Sequence, residues 1–118
     1  MEKLTNKEEE TMEYIWQIGP CAPKDVLELY PKPKPHVNTI STMFQSLEHK
    51  GYLTHEAKGR GYIYHPAVEK GVYGKGKLHS FVDRYFGKSY MNVVSALVQE
   101  EKVTQEELLK FLEELKKQ

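Results

Sequence analysis

Residues His36 to Pro66 read HVNTISTMFQSLEHKGYLTHEAKGRGYIYHP, and this stretch decides the fold. Its first half carries Ile40, Met43, Phe44 and Leu47 at helical spacing, which predicts a helix from about His36 to Lys50 with one buried stripe. Gly51 ends it. The opposite face holds Asn38, Ser41, Thr42, Gln45 and His49. A solvated helix face usually carries more Lys and Glu, so this polar, nearly uncharged face reads as reserved for contact. Tyr52 to Ala57 and Tyr62 to Pro66 are rich in aromatic and β-branched residues. They flank Lys58-Gly59-Arg60-Gly61, which predicts a β-hairpin with a cationic tip.

Upstream, Thr5 and Glu8 have the spacing of a capping box. Met12, Ile15, Trp16 and Ile18 then supply an apolar stripe, and Gly19-Pro20 stops the helix. Pro23 suits the first position of a second short helix, with Val26, Leu27 and Tyr30 on its apolar face. Ala22 is a poor cap, so this helix is expected to start without side-chain help. Pro31-Lys32-Pro33-Lys34-Pro35 reads as a rigid extended linker.

Three helices followed by a hairpin is the order of a winged helix-turn-helix domain. Its third helix enters the DNA major groove while the hairpin lies against the backbone. Asn and Gln pair two-fold with adenine edges, and Thr touches a thymine methyl. Asn38, Thr39, Ser41, Thr42 and Gln45 are therefore the candidate base readers. No Arg or Lys lies between Asn38 and His49, so the commonest guanine contact is missing and A/T-biased readout is expected. Candidate phosphate contacts are Lys24, Lys50, Lys58 and Arg60, with Lys32 and Lys34 as flexible additions. The alternative is a protein-interaction module on the same fold, with the third helix facing a partner protein. Within the DNA reading, direct control by a small ligand or metal is a second alternative.

After about Glu69 the chain changes character, and we place a boundary there, with a DNA-binding domain over 1–70 and a helical domain over 71–118. Gly71, Gly74 and Gly76 weaken any helix. Helices are expected around Leu78 to Tyr85, after Ser89, and after the Thr104/Glu107 capping box, where Val103 and Leu108 are placed as a hydrophobic staple. About 50 residues make a marginal core alone. Leu78, Phe81, Val82, Tyr85, Val93, Val94, Leu97, Leu108, Leu112 and Leu115 are thus expected to pack against a second copy. A two-fold dimer would set two recognition helices about one DNA turn, or a multiple, apart.

Composition narrows the rest. The 118 residues hold 17 basic and 17 acidic side chains, a net charge of zero. That excludes a polybasic protein acting by bulk attraction. Residues 1–72 carry nine basic and ten acidic groups, so a single DNA-binding module should bind non-specific DNA poorly and depend on pairing two copies. Cys21 is the sole cysteine, so an intrachain disulfide and a thiolate zinc site are both excluded. The N-terminus has no apolar signal-peptide core, and the least charged stretch of the C-terminal half, Ser89 to Val98, is too short to span a bilayer. A cytoplasmic location is expected. Histidines at 36, 49, 55, 65 and 79 show no metal spacing, Gly71-x-x-Gly74-x-Gly76 lacks the context of a phosphate loop, and no catalytic set is marked by a local motif. Neither an enzyme nor a cofactor is expected.

The residues also carry a family resemblance. Leu4-Thr5-x-x-Glu8 with Met12-Glu13-x-Ile15-Trp16-x-x-Gly19, Thr39-Ile40-Ser41-Thr42-Met43-x-x-x-Leu47-Glu48-x-Lys50-Gly51-Tyr52-Leu53, and Gly59-Arg60-x-Tyr62-x-Tyr64-x-Pro66 resemble the BlaI/MecI/CopY family of bacterial repressors. The resemblance implies a homodimeric winged-helix repressor with a C-terminal helical dimerisation domain, acting on operators with TACA/TGTA half-sites. In the β-lactam branch it also implies release by proteolysis, downstream of a membrane-bound sensor. The family cleavage point, an Asn-Phe bond, would fall near Ala96-Leu97, and that dipeptide is absent here. The copper-responsive branch has a Cys-rich tail, whereas this chain ends Glu113-Glu114-Leu115-Lys116-Lys117-Gln118, so direct copper sensing is not implied.

Overall fold

A computed structural model describes residues 2–117. In chain order the elements are α1 (Asn6–Ile18), α2 (Pro23–Leu27), α3 (Val37–His49), β1 (Leu53–Lys58), β2 (Gly61–Pro66), α4 (Lys70–Tyr85), α5 (Tyr90–Gln99) and α6 (Gln105–Lys116). The architecture is mainly helical with one antiparallel two-stranded hairpin, as a winged helix followed by a helical region requires. The chain divides into two compact units, Met1–Tyr73 and Gly74–Gln118.

Local chemistry accounts for most boundaries in the first unit. The Thr5/Glu8 capping box forms as expected. Thr5 Oγ1 accepts from the Glu8 N–H at 3.2 Å, and Glu8 Oε1 accepts from the Thr5 N–H at 2.8 Å. Gly19, at φ +80°, closes α1 by donating its N–H to Ile15 O. Two expectations need correction. Ile18 is exposed: it stands at the C-terminal end of α1, about 120° round the helix from Met12 and about 60° from Ile15, at the edge of the buried face. And α2 does start with side-chain help, given backwards from its third residue, because Asp25 Oδ2 accepts from the Ala22 N–H at 2.8 Å.

The core of this unit is built from Leu4, Met12, Ile15, Val26, Ile40, Phe44, Leu47, Tyr52, Leu53 and Tyr64, with Trp16, Leu27, Tyr30 and Tyr73 packed on its margin. Met43, expected in the buried stripe of α3, is half-buried beside Ile40, Phe44 and Leu47. Cys21 is buried and structural. Its segment pairs with β2 through two backbone bonds, Cys21 N–H to Tyr64 O at 3.0 Å and Tyr64 N–H to Cys21 O at 2.8 Å. That bridge ties the α1–α2 connection to the hairpin at Tyr64, whose ring also meets Phe44 edge-on with centroids 5.0 Å apart.

The hairpin pairs Leu53 with Pro66 at its base and Lys58 with Gly61 at its tip. Its loop is therefore only Gly59-Arg60. Gly59 has φ +61° while Arg60 does not enter the left-handed region, the pattern of a type II′ turn with glycine first.

Helix α4 begins in the first unit, eight residues before the expected Leu78, and runs straight through Gly71, Gly74 and Gly76. Tertiary packing overrides the weak propensity. The ring of Tyr73 lies 5.5 Å from that of Trp16 and 5.7 Å from that of Tyr52, and its hydroxyl donates to Glu9 Oε2 at 2.5 Å. The first turn of α4 is thereby held as part of the first unit. Gly87 and Lys88, both at positive φ, turn the chain into α5, which Ser89 caps by accepting from the Asn92 N–H. The Thr104/Glu107 capping box opens α6, and Val103 and Leu108 are both half-buried beside it.

The candidate nucleic-acid interface

The candidate recognition face is set by how α3 begins and which side it buries. His36 precedes the helix rather than joining it: its Nδ1 accepts from the Asn38 N–H at 3.1 Å, a capping role that the sequence reading missed. Ile40, Phe44 and Leu47 take the buried side. Asn38, Thr42, Gln45 and His49, at i, i+4, i+7 and i+11, then form one exposed stripe. Thr39 is exposed on one flank, and Ser41 is half-buried on the other. Thr42 Oγ1 donates to Asn38 O at 2.9 Å. Its hydroxyl proton is thus committed to the helix, and the methyl is the group it has left to offer a thymine.

The candidate phosphate-binding cations separate into two groups. Lys24 on α2, and Lys58 and Arg60 at the hairpin tip, are exposed. Lys50 is not available in the same way. Its Nζ lies 2.6 Å from Glu8 Oε1 and donates to Lys3 O at 3.2 Å, so it holds the end of α3 to the start of α1. Lys34 is no flexible addition either. Its ammonium donates to the carbonyls of Leu27, Glu28 and Tyr30 at 3.1, 3.0 and 2.7 Å, capping the end of α2. Lys32 stays exposed.

Glu8 is the electrostatic anchor behind this face. Burial alone would push its carboxyl pKa up. The hydrogen bonds from Lys50, from Ser46 (Oγ to Oε2, 2.6 Å) and from Thr5 outweigh that and hold it at about 2. Another unforeseen contact lies at the same C-terminal end of α3, where His55 Nδ1 on β1 sits 2.8 and 2.6 Å from the two carboxylate oxygens of Glu48. Nothing in the spacing of residues 48 and 55 signals this contact, because the hairpin's angle to α3 brings them together.

Among the residues proposed to face a second copy, Leu78, Phe81, Tyr85, Leu97, Leu112 and Leu115 are exposed, and Val93, Val94 and Leu108 are half-buried. Val82 leaves that set: it is 1 % exposed in the single chain and has nothing left to bury. Met91, Leu109 and Phe111 are also exposed and would have been found by counting every apolar residue of α5 and α6.

Among the described residues, no three of His, Cys, Asp and Glu gather into a group that could hold a metal ion, and no helix is long and apolar enough to cross a membrane. A family model described as penicillinase repressor matches residues 4–117. The chain belongs to the penicillinase repressor family. It is 29% identical over 118 residues to the penicillinase repressor of Bacillus licheniformis, a match covering 97% of this chain and 92% of that protein. It is 26% identical over 110 residues to an uncharacterized 16.5 kDa protein of Latilactobacillus sakei, covering 92% and 75% of the two chains. The penicillinase repressor family is one of DNA-binding transcriptional repressors and not of enzymes, in keeping with the winged-helix order described above.

Proposed function

We propose that this protein is a sequence-specific repressor that binds, as a homodimer, a palindromic A/T-rich operator with TACA/TGTA-like half-sites. The observation that carries the reading is the exposed stripe of α3, in which Asn38, Thr42 and Gln45 offer amides and a methyl with no cation among them. Such a stripe can address adenine edges and thymine methyls but lacks the Arg or Lys fork that reads guanine. Thr39 and Ser41 flank it as further base contacts. Lys24, Lys58 and Arg60 supply backbone contacts, and Lys50 acts indirectly by bracing α3.

Few cations imply modest affinity per module, so tight binding requires two modules on one site. The exposed apolar side chains of α4, α5 and α6 favour a second copy as the means. Half-exposed, each has roughly 1 kcal/mol still to gain from burial. The TACA/TGTA form of the half-site rests on family likeness, and the A/T bias on the stripe.

Binding selection from a random duplex pool tests the reading. Enrichment of an inverted repeat of A/T-rich half-sites, with centres about 10 base pairs or a multiple apart, is the expected result. Absence of any shifted duplex at low salt would overturn it and favour a protein partner for α3.

A further inference from the structure

One polar contact between the hairpin and α3 lies outside the candidate base-reading and phosphate-binding residues. Along β1 only Leu53 is buried, and along β2 only Tyr64. The base of the hairpin is therefore held by the core, by the Phe44–Tyr64 contact and by the Cys21 bridge. Beyond the His55–Tyr64 row, from Glu56 to the Gly59-Arg60 turn, both strands are exposed apart from partial cover of Ile63. A two-stranded ribbon has little rigidity of its own. Lys58 lies three residues beyond His55, about 10 Å along the strand. A swing of about 10° at His55 would move it by about 2 Å, beyond the tolerance of a hydrogen bond to a fixed phosphate.

Besides the Phe44–Tyr64 contact, one polar contact ties the hairpin to α3 at this row. His55 Nδ1 reaches both oxygens of Glu48 on α3, at 2.8 and 2.6 Å. An ionised carboxylate can only accept, so Nδ1 carries the proton and donates. The imidazole is also boxed on the hairpin side, edge-on to Tyr62 at 4.9 Å and tilted against Tyr64 at 5.5 Å. Among the described residues no other side-chain hydrogen bond joins α3 to the hairpin. His65 and Glu56, 3.0 Å apart, also link β1 to β2 but leave α3 untouched.

Resting on the DNA-binding reading, we propose that His55 is a positioning residue: through Glu48 it locks the wing to the recognition helix, so that Lys58 and Arg60 meet the backbone while α3 reads bases. The pair is partly exposed, with side-chain exposures of 41% and 31%, so it adds little to global stability. Its worth lies in registering two DNA contacts that are far apart in the chain.

The test uses the full chain, a duplex carrying an inverted TACA/TGTA repeat, and fluorescence anisotropy over a range of salt. His55→Ala is expected to keep the wild-type melting curve yet bind about ten-fold more weakly, with a salt slope reduced by about 1 to 2, the loss of one or two phosphate contacts. His55→Asn, whose amide nitrogen can take the place of Nδ1, is expected to restore both. Arg60→Ala should weaken the wild-type chain but change the His55→Ala chain by less than about two-fold, because the tip is already out of place. A His55→Ala chain with the wild-type salt slope, or an Arg60→Ala loss of equal size in both backgrounds, overturns this proposal alone. A wild-type chain that shifts neither this duplex nor any from a random pool overturns the DNA-binding reading, and the latch with it.

Discussion

Lys50 Nζ sits 2.6 Å from Glu8 Oε1, joining the last turn of α3 to the first turn of α1 across 42 residues of chain. Glu8 is 4% exposed and receives Ser46 and Thr5 as well, so its charge is fully satisfied inside the fold. Helix α3 is thereby braced at its C-terminal end by a buried carboxylate whose pKa is about 2 in the folded protein.

The sign of the resulting acid response follows from linkage. A carboxyl with its pKa lowered from 4.5 to about 2 stabilises the fold fully above pH 4.5, and that contribution is lost as pH falls toward 2. The shift corresponds to about 3 kcal/mol. Glu8→Gln should lower stability by that order at pH 7, and the gap to wild type should close between pH 4.5 and 2. Urea unfolding across this range measures it. A gap that does not change with pH would contradict the assignment.

Cys21 provides a second check. Burial, with a smaller contribution from Asp25, raises its thiol pKa to about 11. At pH 8 roughly one molecule in a thousand then carries a thiolate, and the sulfur is also shielded from reagent. Native protein should resist an aromatic disulfide reagent at pH 8, while protein unfolded in guanidinium reacts at once. Comparable rates in the two states would show that the Cys21–Tyr64 bridge opens readily.

The order of elements, both capping boxes and the buried stripe of α3 could be read from the chain because each is a local pattern within a few residues. What could not be read was set by tertiary neighbours. Lys50 and Lys58 are alike as lysines in a basic stretch, yet one is committed to Glu8 and the other stands at the hairpin tip. Spacing carries no signal for a pair 42 residues apart. Val82 and Phe81 are adjacent apolar residues on α4, yet one is buried and the other half exposed, since only packing decides which side of the helix is covered. The early start of α4 was missed because three glycines argue locally against it, whereas Tyr73 argues for it only once Trp16, Tyr52 and Glu9 are in place.

Those glycines make a stability prediction. Beyond the adjacent residues and the backbone of α4 itself, Gly71 and Gly74 have no atom within 4 Å of where a Cβ would stand, and neither is in the left-handed region. Alanine at either should therefore add no clash and raise stability by about 0.5–1 kcal/mol through better helix propensity. Calorimetric melting of each variant decides this. A fall in melting temperature would mean that α4 does not keep its helical form at these positions in solution.

The apolar side chains of the second unit bear on assembly. If Phe81 and Leu112, 51% and 45% exposed, face a second copy, placing a charge at either must split it. Sedimentation equilibrium at micromolar concentration should give a dimer for wild type and a monomer for Leu112→Lys, with Phe81→Asp behaving alike. A wild-type monomer under these conditions would remove the second copy from the proposed mechanism.

The division of labour between α3 and the wing is open to mutation. Lys58 and Arg60 would meet phosphates, which are the same in every sequence, so alanine at either should weaken all duplexes nearly equally and reduce the salt slope by about 1. Gln45 and Thr42 would meet base edges, so alanine there should cost about 1–3 kcal/mol on the selected site while leaving non-specific binding almost unchanged. Anisotropy titrations against the selected duplex and a scrambled one separate the two effects. If all four variants lost preference in equal measure, the hairpin would be reading sequence as well. If none lost preference, the stripe of Asn38, Thr42 and Gln45 would not be the face that meets bases.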